Sequence, residues 1–486
     1  MNILSDRDRK EYKISRTWME INLDKLENNL LFLRSIEPAD VCIVDVLKKF
    51  LNKDDHDFLK KLVALSENDK DTDKNISIAN RNFNKRERLT AVIKADAYGH
   101  GAPVIAKFIS EKGLAKRFAV ASIDEAIQLR EAGICEDIEI LSMTPQLRFD
   151  DLLDYSFIQV ISSQKEAEIL NELAYKKGKS FRVHLALDTG MGRIGLDIRN
   201  FFSYLRTFLT ENSANEDISS VDLREIIYRH NKCMAVALET AIEISKLNNI
   251  NFEACITHFP SADAVDDSET QGAFVDFYTF VSLLNFCIDK KIMMHCANSA
   301  FFLRHSDLTL DYYRPGIILY GLLPECCSNF SDKLKGISEL KAEITYVKTV
   351  DIGDKISYGG TYICDESCKI ATVACGYADG YSRGFSNIGN VRLDDGSIAS
   401  IVGRVCMDSM MIKLPLTSTA KEGDIVTLYT SEYGDTLGLY ELAEIENTIH
   451  YELSCRVSPR VTRAYFYKNK LYAVSSRDKI IYILND

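Results

Sequence analysis

LTAVIKADAYGHG, residues 89–101, opens on a run of apolar and β-branched side chains, Leu89 to Ile93, with the length and composition of a strand buried on both faces. It then delivers one amine, Lys94, and leaves through a small-residue turn containing Tyr98, Gly99, His100 and Gly101. An amine at the carboxyl end of a buried strand is held rigidly beside low-dielectric walls. It also faces the loops where barrels and open sheets hold their ligands. Burial disfavours the ammonium form, so such a lysine can offer the neutral amine that condenses with an aldehyde cofactor. A solitary strand-end lysine more often extends its head into water, so the rest of the chain has to decide the matter.

Outward from Lys94, short β-rich runs alternate with helical ones. Phe118 to Ser122, Ile138 to Leu141, Phe157 to Ile161, Val183 to Leu187, Cys255 to Thr257 and Met293 to Cys296 have strand character, and helices are expected over Asp124 to Ala132 and Ser163 to Lys177. Thr17 to Ile21 has the pattern of a further strand and Leu23 to Arg34 that of a helix. Repeated strand–helix units imply a parallel sheet, and enough of them close a (β/α)8 barrel. After about Pro324 the texture changes: Ile344 to Val350, Ile370 to Ala374, Val391 to Leu393, Ile398 to Val402 and Met410 to Leu414 are strands set off by turns such as Asp394-Asp395-Gly396. The expected class is therefore α/β, a (β/α)8 TIM barrel over residues 17–330 followed by a mostly β C-terminal domain over 331–486. Residues 1–16 are expected to pack with the β-domain.

Two stretches exceed what a barrel needs, near 37–88 and 197–250. In the first, Val44 to Leu65 has the period of an amphipathic helix pair, while Glu67 to Arg88 is dense in polar residues and is expected to be a surface loop. The second holds the polar tract Thr210 to Asp217 and a helix pattern from Met234 to Leu247.

At 486 residues, 46% of them hydrophobic, the chain is long enough for two cores. A formal charge of −12 and a pI near 5.3 argue against a nucleic-acid partner. The start, MNILSDRDRKEYKIS, lacks the apolar core of a secretory signal, and no run approaches the roughly 20 apolar residues of a membrane span. The 13 cysteines have no framework spacing, which suggests free thiols in the cytoplasm. Cys364 and Cys368 lack a second pair or a nearby histidine, so no metal is expected.

The strand ends carry the remaining chemistry. Val183 to Leu187 is followed by Asp188-Thr189-Gly190-Met191-Gly192-Arg193, a glycine turn presenting one guanidinium. His258 follows Cys255-Ile256-Thr257, and His295, Asn298 and Ser299 follow Met293-Met294, with polar groups placed to open a helix onto an anion. Arg314-Pro315-Gly316-Ile317 frees amides for a phosphate in the last strand loop, the commonest barrel arrangement. Singly, each is an ordinary structural residue. Together an amine, a phosphate cradle, an imidazole and two guanidiniums describe a pyridoxal phosphate site.

With AVIKADAYGHGA, DTGMGRIGL, THFPSADAVD, HCANSAFFL, YYRPGIILYG, ISYGGTY, GYADGYSR and VGRVCMD in order, the chain resembles the alanine racemases, fold-type III pyridoxal phosphate enzymes, over most of its length. The resemblance implies a head-to-tail cytoplasmic homodimer whose sites are completed across the interface. Such an enzyme racemises L-alanine to D-alanine for peptidoglycan. It makes Lys94 the cofactor lysine and the base on one face of the substrate, and Tyr358 of the partner the base on the other. Tyr98, Asn298, Ser299, Gly316 and Ile317 then lie at the cofactor, chiefly at its phosphate. His258 packs on the ring, and Arg193 contacts its phenolic oxygen and the substrate region. Arg314 faces the pyridine nitrogen with His295 behind it, Met407 offers an amide to the substrate carboxylate and Tyr377 lines the entrance. A tyrosine of ordinary pKa about 10 needs nearby positive charge to act as a base. Arginine opposite the pyridine nitrogen keeps that nitrogen unprotonated and discourages transamination.

The chain departs from the family pattern at Ala186, where a lysine usually braces the arginine equivalent to Arg193, and at Pro459, in the place of a phosphate-binding tyrosine. The tail after Tyr465 has no assigned counterpart. Alternatives are a racemase for another small amino acid such as serine, a fold-type III decarboxylase, and a weakened homologue serving as a pyridoxal phosphate-binding protein.

Overall fold

The apolar runs assemble into two large sheets in a computed structural model that describes residues 4–37, 43–66, 88–212, 232–288, 290–477 and 479–483. Strands β1 (Thr17–Asn22), β2 (Thr90–Val92), β3 (Arg117–Val120), β4 (Asp137–Ile140), β5 (Ile158–Ile161), β6 (Phe181–Asp188), β7 (Leu196–Asp197), β8 (Ile250–Ile256) and β9 (Met293–His295) precede the second half of the molecule. Of these, β2-β3-β4-β5-β6-β8-β9 pair in parallel in that order, and β7 lies against β6. The extended stretch at Tyr313 closes the barrel, bridging to Ala297 on one side and Leu89 on the other. There Thr90 N donates to Tyr313 O (2.9 Å), Val92 N to Pro315 O (3.0 Å) and Arg314 N to Ala297 O (2.9 Å). Helices cover the outside, so β2, β3 and β5 are buried throughout. Ser122 opens the helix Ile123–Glu131 through a reciprocal cap with Glu125, and Ser163 caps Gln164–Lys177.

The second sheet follows in β10 (Ser338–Val350), β11 (Lys355–Ile356), β12 (Tyr362–Ile363), β13 (Cys368–Val373), β14 (Asn390–Leu393), β15 (Ile398–Ser400), β16 (Met410–Leu414), β17 (Ile425–Thr430), β18 (Thr462–Tyr467), β19 (Lys470–Ser476) and β20 (Lys479–Tyr482). Its order is β15-β14-β17-β10-β1-β18-β19-β20, with β13 and β16 branching from β10 and β11-β12 forming a separate hairpin.

Strand β1 is a correction. Strand–helix alternation assigns Thr17–Asn22 to the barrel, but it runs antiparallel to β10 and parallel to β18, inside the β-domain sheet. A short strand buried on both faces looks alike in either sheet, and only its partners distinguish them. Residues before it pack on that domain too: Leu4 and Ile14 join Trp18, Ala464, Phe466 and Val474, and Arg9 lies over the Trp18 ring and pairs with Glu343.

The first insertion forms helices Ile43–Leu47 and Lys53–Ser66; the loop expected at 67–87 and residues 38–42 lie outside the described residues. Its two ends meet at the barrel, where buried Arg88 pairs with buried Glu37 at 2.6 Å and the Tyr313 hydroxyl donates to Glu37 at 3.2 Å. The two insertions also touch each other, through Phe58 and Phe202 and through an Asp55–Arg206 ion pair at 2.5 Å. The second is described as helices Phe201–Asn212 and Lys232–Ser245, and the part of its polar tract beyond Asn212 lies outside the described residues. Contrary to the expectation that no run is long and apolar enough, helix Ser268–Ile288 could cross a membrane by length and composition. Most of it is buried in the core, with Lys53–Ser66 packed against it, and its Asp276 accepts the Asn200 and Phe202 amides (2.7 and 2.9 Å). The tail continues β18 into the β19-β20 hairpin, tied back to the barrel by Tyr472 donating to Glu111 at 2.7 Å.

Candidate active site

Lys94 stands at the end of β2 and starts a turn of unusual hand. Ala95, Asp96, Ala97 and Tyr98 have φ of 52°, 53°, 56° and 53°, and Gly99 follows at 86°. L-residues in the left-handed region cost roughly 1–2 kcal/mol each, so the four non-glycines store roughly 4–8 kcal/mol that surrounding contacts must outweigh. Glu125 accepts the amides of Ala95 and Ala121, both at 2.7 Å, and Asp96 Oδ1 accepts Ala102 N at 2.8 Å. At Gly99 a Cβ would lie 2.2 Å from Ser454 O, so both the backbone angle and the close approach require glycine. The turn leaves the Lys94 amine in a partly open cleft of about 720 Å³, its solvent-filled mouth included, shared with Arg193, His258, Arg314 and Ala186. Burial first, then the charge of Arg193, lowers the amine's affinity for a proton.

Behind this cavity a chain of buried polar groups holds Arg314. Its Nη2 donates to Thr257 O (2.7 Å) and Cys296 O (3.2 Å), and Nη1 to His295 Nδ1 (2.9 Å). A guanidinium only donates, so His295 carries its own proton on Nε2. That atom faces His184 Nδ1 at 3.0 Å and Glu139 at 3.6 Å, and His184 Nδ1 lies 3.0 Å from Glu139. Burial would raise the Glu139 carboxyl, but the neighbouring His295 and His184 outweigh it and hold the group below the ordinary carboxylate range. These three side chains are near enough to chelate a cation, yet their facing atoms are already engaged with one another and with Arg314. His258, in turn, is pushed down to about 3, by burial first and then by Arg314, Arg193 and Lys94, leaving a neutral flat ring in the pocket wall.

Ser299, Gly316 and Tyr98 come together at the end of the barrel. Ser299 Oγ accepts Gly316 N at 3.0 Å, and a Cβ on Gly316 would fall 2.4 Å from the Tyr98 hydroxyl. Tyr98 is thus lodged against bare backbone, its ring backed by Tyr320 and Tyr451 (centroids 5.4 and 6.4 Å). Ile317 begins the short helix leading from Gly316 to Tyr320. Asn298 uses its carbonyl oxygen to cap Phe301 N (3.0 Å) and donates to Phe259 O (3.4 Å), so it shapes the loop beside the cradle. A partly desolvated amine, a glycine-floored cradle and a neutral imidazole fit pyridoxal phosphate.

Tyr358, Tyr377 and Met407 are elsewhere. They are 69%, 42% and 53% exposed on the β-domain, and none lines the Lys94 cavity. Their loops are knitted together: Tyr377 N donates to Cys406 O (3.1 Å), Ala378 N to Met407 O (3.0 Å) and Ser357 Oγ to Arg404 O (2.7 Å). Within one chain these three residues therefore lie outside the Lys94 cavity.

Family models for the alanine racemase N-terminal domain match residues 68–216 and 233–324, and that for the C-terminal domain matches 337–465. The chain is 38% identical to an alanine racemase from Clostridium tetani over 79% of its own length and 90% of the relative's. It belongs to the alanine racemase family. Among solved structures, an alanine racemase from Clostridium difficile 630 aligns with a TM-score of 0.73 at 30% identity, covering 96% of this chain and 99% of the other. Another, from Bacillus anthracis and described with bound L-Ala-P, gives 0.68 at 27%, covering 96% and 97%.

Within this alanine racemase fold the two departures have definite surroundings. Ala186 joins Val160 and Ile256 in an apolar cluster, so the brace expected beneath Arg193 is replaced by a hydrocarbon floor. Asp188 instead shapes the arginine's loop, accepting the amides of Gly190 (2.9 Å) and Gly192 (3.1 Å). Pro459 lies in the turn before β18, and the adjacent Arg460 pairs with Asp379 (2.7 Å) and Asp408 (2.9 Å). Sequence alone misses Glu125, Glu139 and His184; the Ser122-x-x-Glu125 cap is the one local signal among them.

Proposed function

We propose that this chain is a pyridoxal phosphate-dependent alanine racemase, working as a homodimer in which each site combines Lys94 of one subunit with Tyr358 of the partner subunit. The observation that carries the reading is the placement of two groups: an amine recessed in the barrel, whose hold on a proton burial weakens, and an exposed phenol on the β-domain outside that cavity. Inverting a stereocentre needs proton transfer on opposite faces, and two groups on different subunits meet that need without folding one chain back on itself.

Bound pyridoxal phosphate supplies a ring system that makes the substrate α-hydrogen acidic. Tyr98, Ser299, Gly316 and Ile317 would hold its phosphate, Lys94 would bind its aldehyde group, and His258 would give a flat neutral surface for the ring. Lys94 Nζ then moves a proton on one face, and the hydroxyl of Tyr358 of the partner subunit does so on the other. Arg193, in the wall of the same cleft, would contact the phenolic oxygen and the substrate region, Met407 would offer an amide to the substrate carboxylate and Tyr377 would line the entrance. Arg314 holds on to its proton, so it would not protonate a ring nitrogen bound beside it. Alanine is the substrate supported by the relatives' names, and D-alanine for a cell-wall polymer is the corresponding product. The free thiols among the described residues suit a reducing cytoplasm.

The test is solvent exchange of the α-hydrogen of L-alanine, followed by NMR in deuterium oxide. Tyr358→Phe should retain the cofactor and lose most exchange starting from the enantiomer that this phenol serves. Undiminished exchange from both enantiomers refutes the two-base assignment. Racemisation assayed over a panel of small L-amino acids, serine included, sets the substrate range.

A further inference from the structure

We propose that Arg463, Ser454 and Tyr465 of the β-domain are positioning residues that fix Lys94 and Tyr98 of their own chain by holding three consecutive carbonyls of the left-handed turn. The inference rests on the racemase reading in taking Lys94 and Tyr98 as cofactor contacts.

The turn cannot satisfy its own outward carbonyls. Inside it, Gly99 N bonds to Ala95 O (2.9 Å), His100 N to Ala97 O (3.1 Å) and Gly101 N to Asp96 O (2.8 Å), so these amides do not serve the carbonyls of Tyr98, Gly99 and His100. Each meets one β-domain donor: Ser454 Oγ reaches Tyr98 O at 2.7 Å, Arg463 reaches Gly99 O at 3.1 and 3.2 Å, and the Tyr465 hydroxyl reaches His100 O at 2.9 Å. A fourth contact fixes the side chain of the same segment. His100 Nδ1 donates to Ala97 O (2.9 Å), so its Nε2 accepts from Ser338 Oγ (3.0 Å) at the start of β10.

Arg463 is the centre of this bracket. It is 4% exposed, and its other donors reach Val457 O (3.0 Å), Ser458 O (2.9 Å) and Val461 O (2.8 Å). Its planar fork therefore ties the turn to the segment entering β18, a geometry that an ammonium with three donors cannot copy. The nearest carboxylate, that of Asp96, is 3.8 Å away and belongs to the turn itself. Gly101 is part of the same fit, because a Cβ there would lie 1.9 Å from the Tyr465 hydroxyl.

Released from these donors, peptide planes 98–100 can rotate out of the strained region. Lys94 and Tyr98, at the two ends of the turn, would then lose their fixed separation. The β-domain thus serves two sites, lending Tyr358 to the partner subunit and holding the lysine loop at home.

The experiment uses the full-length protein loaded with pyridoxal phosphate and compares wild type, Arg463→Lys and the double variant Ser454→Ala/Tyr465→Phe. The double variant removes only two hydroxyls and keeps the scaffold. Readouts are amide hydrogen exchange of peptides covering residues 95–101, the rate of pyridoxal phosphate release after dilution into a scavenger, and the melting temperature. Exchange in the turn and cofactor release should each rise about tenfold in the double variant, as expected for loss of two hydrogen bonds to strained backbone, and further in Arg463→Lys. The rise in exchange should stay confined to the turn. Turn exchange and cofactor release that match wild type in the double variant, or exchange that rises evenly over β18 and the barrel, overturn the proposal. Tyr358→Phe should leave these readouts at wild-type values, so failure of the two-base reading is recognised separately. Lys94→Ala that releases cofactor no faster than wild type would sink the lysine assignment without touching the turn-exchange result.

Discussion

Acidification should weaken the fold through imidazoles that the interior keeps neutral, and His100 offers the cleanest measurement. It is fully buried, stacked on Tyr320 at 4.6 Å, and burial pushes its pKa from 6.5 down to about 4. In the unfolded chain the same group titrates near its ordinary value. Below about pH 6.5 the unfolded state therefore takes up a proton that the folded state refuses. The stabilisation is complete above pH 6.5, shrinks by about 1.4 kcal/mol per pH unit as the solution is acidified, and stops changing below about pH 4. Between pH 7 and pH 5 this amounts to about 2 kcal/mol from His100 alone. His258 and His450, held near 3 and 4, add in the same direction. His100→Asn retains a donor near Ala97 O and cannot titrate. Urea unfolding at fixed protein and cofactor concentration, followed by the fluorescence of Trp18, the chain's single and fully buried tryptophan, gives the stability at each pH. Whatever the variant's starting stability, its loss between pH 7 and pH 5 should be smaller than that of wild type by about 2 kcal/mol. Parallel pH curves for the two proteins would refute the assignment of a neutral imidazole at this position.

Gly316→Ala places a methyl group 2.4 Å from the Tyr98 hydroxyl, forcing that side chain to move, and should weaken pyridoxal phosphate binding about tenfold or more, measured by equilibrium dialysis. Glu37→Gln breaks the buried pair with Arg88 at the neck of the first insertion and should cost about 3 kcal/mol in urea unfolding, with cofactor affinity little changed. Arg314→Lys keeps the charge but cannot reproduce the contacts to His295, Thr257 and Cys296. A loss of about 2–4 kcal/mol in stability is expected by the same assay, and no loss would mean that the fork is not needed.

Much of the barrel is visible in the sequence because its strands are continuous apolar runs whose polar residues collect at the carboxyl ends. That is how Lys94, His258, Arg314 and Ser299 come to be singled out together. Strand β1 misleads because a buried strand before a helix has the same local pattern in either sheet, and its pairing with β10 depends on residues more than 300 positions away. Glu139 and His184 are hidden for another reason. Each sits inside a strand, and only closure of the barrel points them at His295 and at each other. Arg463 is also silent in sequence, since its acceptors are backbone carbonyls of a turn whose hand a string of ordinary alanines does not announce. The role proposed for Tyr358 is legible only through family resemblance, because within a single chain the residue is exposed.

The left-handed turn after Lys94 has a consequence for stereochemistry in the polypeptide itself. Ala95 and Ala97 hold backbone angles that are unfavourable for the natural enantiomer and are the mirror image of ordinary α-helical ones. A chemically synthesised segment with the opposite configuration at these two centres would be at rest in the same geometry. Each methyl group, however, would leave its native direction. Such a chain asks whether the lysine loop needs its tension or only its shape.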